Sequence, residues 1–309
     1  MKLRLGTRGS ALALAQAGLV RDLLSASRGD LEIELVPITT AGDQATPAPE
    51  GDKSRFVKEI EDALLAERID LAVHSAKDVP AELPDGLAIV GVPARADARD
   101  VLCTADGSRT GSDDDPLAAL APGARVGTSS LRRQSQLLAA RRDLEPAPLR
   151  GNVDTRLRKL DDGEYEALVL AAAGLERLGL DRGVPLPPGV FTPAPGQGCL
   201  ALEARAADEP AAELARSATD DDSLVCLSAE RALVAGIGAS CHTPVGAHAR
   251  LAGGRLELAA YAGMPDGSTW LRDSVSGGPG DPIALGEEGA ARLLAAGAGD
   301  LLHAAEAQS

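Results

Sequence analysis

The sequence predicts two α/β domains with mainly parallel sheets, followed by a smaller α+β domain with a small antiparallel sheet. Three observations carry this. Short apolar runs alternate with helix-period segments from residue 3, and the alternation restarts after the polar stretch RADARD at 95–100. A stretch dense in Pro and Gly, GVPLPPGVFTPAPGQG at 183–198, interrupts the second cycle and reads as a loop or crossover. Beyond residue 245 three runs alternate with period two, separated by turns. The chain has 309 residues, too many for one ordinary core. The boundaries expected are 1–94 with 195–216, then 97–192, then 219–309.

In order, LRLGT (3–7) reads as a strand, and Ser10 as the cap of a helix to about Ser27, with Leu12, Ala15, Leu19 and Leu23 on one face. LEIELVPITT (31–40) is a second strand, 54–67 a helix, DLAVHS (70–75) a buried strand and GLAIVGVP (86–93) another. The second cycle gives strands at 100–103, 124–128 and 147–151, and helices at 130–142 and 153–161. A strand then runs into a helix over 166–175, and CLALEARA (199–206) resumes as a strand. A helix over 220–238, strands in VGAHARL, RLELAAYAG and STWLRDSV, and a helix near 283–303 complete the chain.

The chain is acidic, with 31 Lys+Arg against 46 Asp+Glu and a net charge of −15. That balance and an aromatic content of 2% argue against nucleic-acid binding, which needs basic surface and stacking platforms. There is no signal-peptide h-region and no run of membrane-spanning length, so a cytoplasmic protein is expected. The four cysteines are widely spaced without CxxC, which suggests neither a disulfide framework nor a metal site. Positive charge is concentrated between Arg125 and Lys159: nine bases oppose only Asp143, Glu145 and Asp154. Arg141, Arg142 and Arg158 fit an ordinary charged helix face. The arginines beside TSS and GN lie near helix starts, where guanidinium forks and free backbone N–H groups favour the same anion.

In open α/β sheets ligands sit outside the carboxyl ends of strands. The candidate polar groups fall there: Thr7, Arg8 and Ser10; His74, Ser75, Lys77 and Asp78; Thr128 to Arg133; Arg150 to Arg156. Two such edges offered to each other would make a cleft between domains.

Taken together, HSAKDVP (74–80), VGTSSLRRQSQL (126–137) and LRGNVDTRLRKL (149–160) resemble the porphobilinogen deaminase (hydroxymethylbilane synthase) family. So do TRGSALALAQ, ITTAGD, FVKEIEDALL, AAAGLERLGL, PAPGQGCLALE and ASCHTPVGAHA, in the family's order and across essentially the whole chain. The resemblance implies two domains like type II periplasmic binding proteins, and a third domain whose Cys241 holds a dipyrromethane cofactor through a thioether. It implies head-to-tail condensation of four porphobilinogens onto that primer, each losing ammonia, then hydrolytic release of hydroxymethylbilane by a monomer. Asp78 matches the family's catalytic aspartate. A carboxylate at the pyrrole N–H can stabilise the electron-poor cation left when ammonia departs.

Each pyrrole carries an acetate and a propionate, so the resemblance assigns Arg8, Arg132, Arg133, Arg150, Arg156 and Arg177 to holding carboxylates, with Lys77 beside them. Ser10, Ser75, Thr128, Ser129, Ser130, Asn152 and Gln197 would add neutral hydrogen bonds, and Lys53 and Phe56 match a lid. His74 and His242 read as structural. No metal is implied. The competing reading is a non-catalytic cytosolic binder of anionic ligands on the same scaffold. It leaves Cys241, Asp78 and the third domain without a purpose.

Overall fold

The computed structural model describes residues 2–40, 57–105, 107, 115, 117–239 and 243–308. It comprises two compact units, Met1–Ala96 with Gly198–Leu227 and Asp97–Gln197 with Ser228–Ser309. The elements run β1 (Lys2–Arg8), α1 (Ala11–Ser27), β2 (Glu32–Ile38), α2 (Lys58–Leu65), β3 (Leu71–Ser75), β4 (Leu87–Gly91), β5 (Asp100–Thr104), β6 (Arg125–Gly127), α3 (Leu131–Ala140), β7 (Glu145–Ala147) and α4 (Val153–Asp161). They continue with β8 (Ala167–Ala171), α5 (Ala172–Arg177), β9 (Val184–Pro185), β10 (Leu200–Arg205), α6 (Glu209–Ser217), α7 (Asp221–Gly236), β11 (Val245–Ala252), β12 (Arg255–Gly263), β13 (Trp270–Gly277), α8 (Pro282–Ala295) and α9 (Ala298–Glu306).

The sheet of the first unit has the order β2-β1-β3-β10-β4. β1 pairs parallel with β2 and β3, while β10 is antiparallel to both β3 and β4. Four strands therefore share one direction and β10 is reversed. The second unit repeats this plan in the order β7-β6-β8-β5-β9, with β5 as the reversed strand. Each sheet is covered on both faces, which is why LAVHS and ALVLA read as continuous apolar runs. On one face of the first sheet Leu3, Leu5, Leu71 and Leu202 pack with Val20 and Leu24 of α1 and Leu214 of α6. On the other, Ile60 and Leu64 of α2 pack with Ile69, Ala72 and Leu87. In the second unit Leu137 of α3 packs with Val126 and Val169, and Leu157 and Leu160 of α4 with Leu168 and Leu170. Each fully buried leucine contributes about 2 kcal/mol relative to an exposed one.

The second unit also holds the antiparallel sheet β11-β12-β13. Helix α8, capped by Asp281, packs close to α7: a Cβ on Gly286 would lie 2.4 Å from the Ala229 carbonyl oxygen. The single helix expected near 283–303 is two, because the chain adopts φ +98° at Gly297, a left-handed conformation suited to glycine. Three other expectations shift. The strand placed at 147–151 lies at 145–147. The loop at 183–198 contains the two-residue β9. Helix α6 was not anticipated; it is capped by Asp208, whose side chain accepts from Ala211 N.

A buried ionisable group lies within the first unit. His74 Nε2 is 3.0 Å from a Glu203 carboxylate oxygen, and Glu61 of α2 is buried nearby. Burial, reinforced by the Glu203 charge and opposed by His74, raises the Glu61 pKa. A carboxyl with a raised folded pKa loses stability as pH rises above its unfolded value. Glu61→Gln is therefore expected to melt above the parent at pH 7 and to match it near pH 4, about the unfolded carboxyl pKa. Thermal melts across that interval check it, and a Gln variant less stable at pH 7 would contradict it.

Candidate active site

In the first unit β1 and β3 are parallel neighbours, so their carboxyl ends share one edge of the sheet. Arg8 ends β1 and is half-buried. Ser10 caps α1, its hydroxyl accepting from Ala13 N at 3.3 Å. Gln16 of α1 donates to Ser75 Oγ at 2.9 Å, tying the helix to the end of β3. The chain then makes a single 3₁₀ turn, Ala76–Asp78. Ala76 N donates to the Cys199 carbonyl at 3.0 Å, and Val79 N closes the turn on the Ala76 carbonyl at 3.2 Å. Lys77 and Asp78 are half-buried on this braced turn.

In the second unit β7, β6 and β8 are parallel, so the segments after them also share one edge. Thr128 follows β6; its N–H donates to the Ala147 carbonyl and its Oγ1 accepts from Ser130 N. Ser129 Oγ donates to the Leu149 carbonyl and accepts from Leu149 N, joining the loops after β6 and β7. Ser130 caps α3 through Arg133 N. Arg150 and Asn152 are exposed before α4, with Asn152 at its cap position. Arg156 reaches back from α4 to donate to the Gly151 carbonyl at 2.7 Å. Arg177 ends α5, the helix after β8. The strand-end placement inferred from sequence is thus met on each sheet separately. Lys53, Phe56 and Cys241 lie outside the described residues.

Arg132 and Arg133 are buried, 4% and 7% exposed, around Asp100, which is 0% exposed. Arg132 Nη1 donates to Asp100 Oδ2 at 2.7 Å and to the Thr192 carbonyl at 2.6 Å. Arg133 donates through Nε (2.9 Å) and Nη2 (2.7 Å) to Asp100 Oδ1, and through Nη1 to the Val169 carbonyl. Gln197 Nε2 donates to Asp100 Oδ1 at 3.0 Å and to the Ala98 carbonyl at 2.7 Å. Burial alone would raise the Asp100 pKa, but the two arginines outweigh it and hold the carboxyl far below the usual range. Asp100 was missed in the sequence, where it closes the polar RADARD stretch. Its signal was an acid as the first residue of an apolar strand, DVLC. The reversal of β5 explains its position: β5 begins where β8 ends, with Asp100 opposite Ala171.

Helix α3 is also fixed along its length. Gln136 exchanges hydrogen bonds with Thr192, its Nε2 donating to the carbonyl and its Oε1 accepting from the N–H. Ser135 Oγ and Tyr261 OH are 2.7 Å apart.

The porphobilinogen deaminase dipyromethane cofactor binding domain model matches residues 3–213, and the porphobilinogen deaminase C-terminal domain model matches 224–295. The chain belongs to the porphobilinogen deaminase family. It is 48% identical over 303 residues to the porphobilinogen deaminase of Roseiflexus sp., covering 96% of this chain and 97% of that one. It is 46% identical over 306 residues to that of Syntrophobacter fumaroxidans, covering 97% of each. Among solved structures it is similar to the methionine binding protein MetQ, at 15% identity and TM-score 0.44, over 72% of this chain and 92% of that one. As a porphobilinogen deaminase the chain is a transferase of tetrapyrrole biosynthesis with a dipyrromethane cofactor. The non-catalytic binder is not favoured, because the family models match the C-terminal domain as well as the α/β part.

The donor set fits a cofactor bearing several carboxylates. Cationic and hydroxyl side chains gather at both sheet edges, and buried Arg132 Nε has no hydrogen-bond partner among the described residues. Cys103, Cys199 and Cys226 are buried, and burial pushes the Cys103 thiol up to about 11. Among the described residues no group of three or more His, Cys, Asp or Glu could hold a metal ion, and no helix is long and apolar enough to cross a membrane.

Proposed function

We propose that the chain adds four porphobilinogens head to tail with Asp78 as the catalytic carboxylate and Cys241 as the cofactor's attachment point, then releases hydroxymethylbilane by hydrolysis. The observation that carries this is the placement of Asp78 on a braced turn at the same sheet edge as Arg8, Ser75 and Lys77. The dipyrromethane, when bound, supplies the pyrrole carbon onto which the first unit is added. The Asp78 side chain faces the positive charge that develops as ammonia leaves, and accepts the pyrrole N–H as a hydrogen bond. It can then take the proton released when the new ring regains aromaticity. Arg8, Lys77, Arg132, Arg133, Arg150, Arg156 and Arg177 neutralise and orient acetates and propionates. Ser10, Ser75, Thr128, Ser129, Ser130, Asn152 and Gln197 fix the loops and add neutral contacts. The burial of the other three cysteines supports Cys241 as the attachment residue.

The acidic surface and family membership support a cytoplasmic monomer that works on a small-molecule substrate without nucleic-acid or membrane partners. The intact mass of the purified protein tests the assignment. The parent should exceed its sequence mass by two pyrrole units, less the ammonia lost, and Cys241→Ser should carry no such gain. A parent of unmodified mass would remove the enzyme reading.

A further inference from the structure

Two consecutive arginines on a helix point about 100° apart and do not ordinarily share a ligand. Arg132 and Arg133 nevertheless converge, because Asp100 sits between them and takes one bond from the first and two from the second. Gln197 holds the same carboxylate from another segment. The resulting cluster has two positive charges and one negative, all nearly sealed from water. Asp100 offsets one guanidinium charge and leaves a surplus of +1 on side chains at the start of α3, which follows the exposed Ser129 on the edge that collects the other candidate ligand-binding groups.

We propose that Asp100 is a positioning residue for the porphobilinogen reaction, fixing the guanidinium forks of Arg132 and Arg133 before any ligand carboxylate arrives. The inference rests on the function proposed above and adds a residue that touches no substrate. Without Asp100 the two forks would repel and turn away from each other, so ligand binding would have to supply the ordering. With it, the surplus charge is held in a fixed orientation and a ligand carboxylate meets a preformed site. The reversed direction of β5 makes this possible, since only a strand running against its neighbours can begin at the edge where they end. Gln197 holds the positioner, and its amide leaves the surplus charge intact where a second carboxylate would cancel it.

Asp100→Asn and Asp100→Glu test the proposal in the full-length, cofactor-bearing protein. Asn keeps the shape and loses the charge. Glu keeps the charge and moves it by one methylene. Each is expected to raise KM for porphobilinogen on the order of 10–100-fold, with a smaller change in kcat. A purely structural role would lower the melting temperature and leave KM at its parental value in the folded fraction; this result would overturn the proposal. If Asp100→Asn does not fold, Asp100→Glu decides alone by the same KM readout. A parent that carries no added mass and turns over no porphobilinogen would instead defeat the function proposed above.

Discussion

Asp78→Asn is expected to lower kcat by about 10²–10⁴-fold, the range for a positioned proton-transfer group, with little change in fold. The amide is nearly isosteric and the turn does not rely on the carboxylate. Val79 N closes it on the Ala76 carbonyl, and Ala76 N is held by the Cys199 carbonyl. What is lost is the negative charge facing the cation formed as ammonia departs, together with the acceptor for the proton released afterwards. Porphobilinogen consumption should fall far more than KM changes, because the lost interaction is strongest in the transition state. The melting curve should stay close to the parent's. A variant retaining more than about a tenth of parental kcat would remove Asp78 from the role.

Arg133→Leu should cost roughly 3 kcal/mol of stability, since it breaks a buried, hydrogen-bonded charge pair and leaves Asp100 Oδ1 with fewer donors. Asp100 would keep Arg132 and Gln197 but lose both bonds to its Oδ1 from Arg133, and the Val169 carbonyl would lose a donor. The pH dependence has a definite sign. Asp100 has a depressed folded pKa, so its ionisation contributes stability above the unfolded carboxyl value, and that contribution fades as pH falls through the folded value. The penalty of the variant is therefore greatest at neutral pH and should shrink below about pH 4. Denaturant titrations of parent and variant at the two pH values measure it. A constant penalty would mean that lost packing, not lost charge, is the cause.

The contrast between Asp78 and Asp100 marks how far the sequence could be read. Asp78 follows an apolar strand in a run whose residue types already suggest a ligand edge. Asp100 is one of two aspartates in a polar stretch, and only the antiparallel pairing of β5 with β8 separates it from Asp97, which pairs with its neighbour Arg99. Charge density alone points to the arginines as an anion-holding group. Their burial is not legible, because an arginine in a sequence carries no mark of the carboxylate it will meet. Most strands were legible because both faces of each sheet are covered, which produces unbroken apolar runs. β7 was displaced because it is an edge strand of three residues, Glu-Pro-Ala, with too little apolar character to signal itself. Helix α6 is Ala-rich and short, and it is held by its packing on the first sheet more than by its own pattern.

The reversed strand β10 has a consequence for the order in which the protein can be made. It lies between β3 and β4, yet it leaves the ribosome more than a hundred residues after either of them. Until Arg205 has emerged, the first sheet is two separate pieces with open inner edges, an arrangement prone to pairing with other chains. All five strands of the second α/β sheet lie between Asp100 and Pro185, so that sheet can close while the first is still incomplete. The N-terminal sheet is thus the later of the two α/β sheets to close. A nascent chain stalled before Leu200 would expose β3 and β4 for as long as the stall lasts.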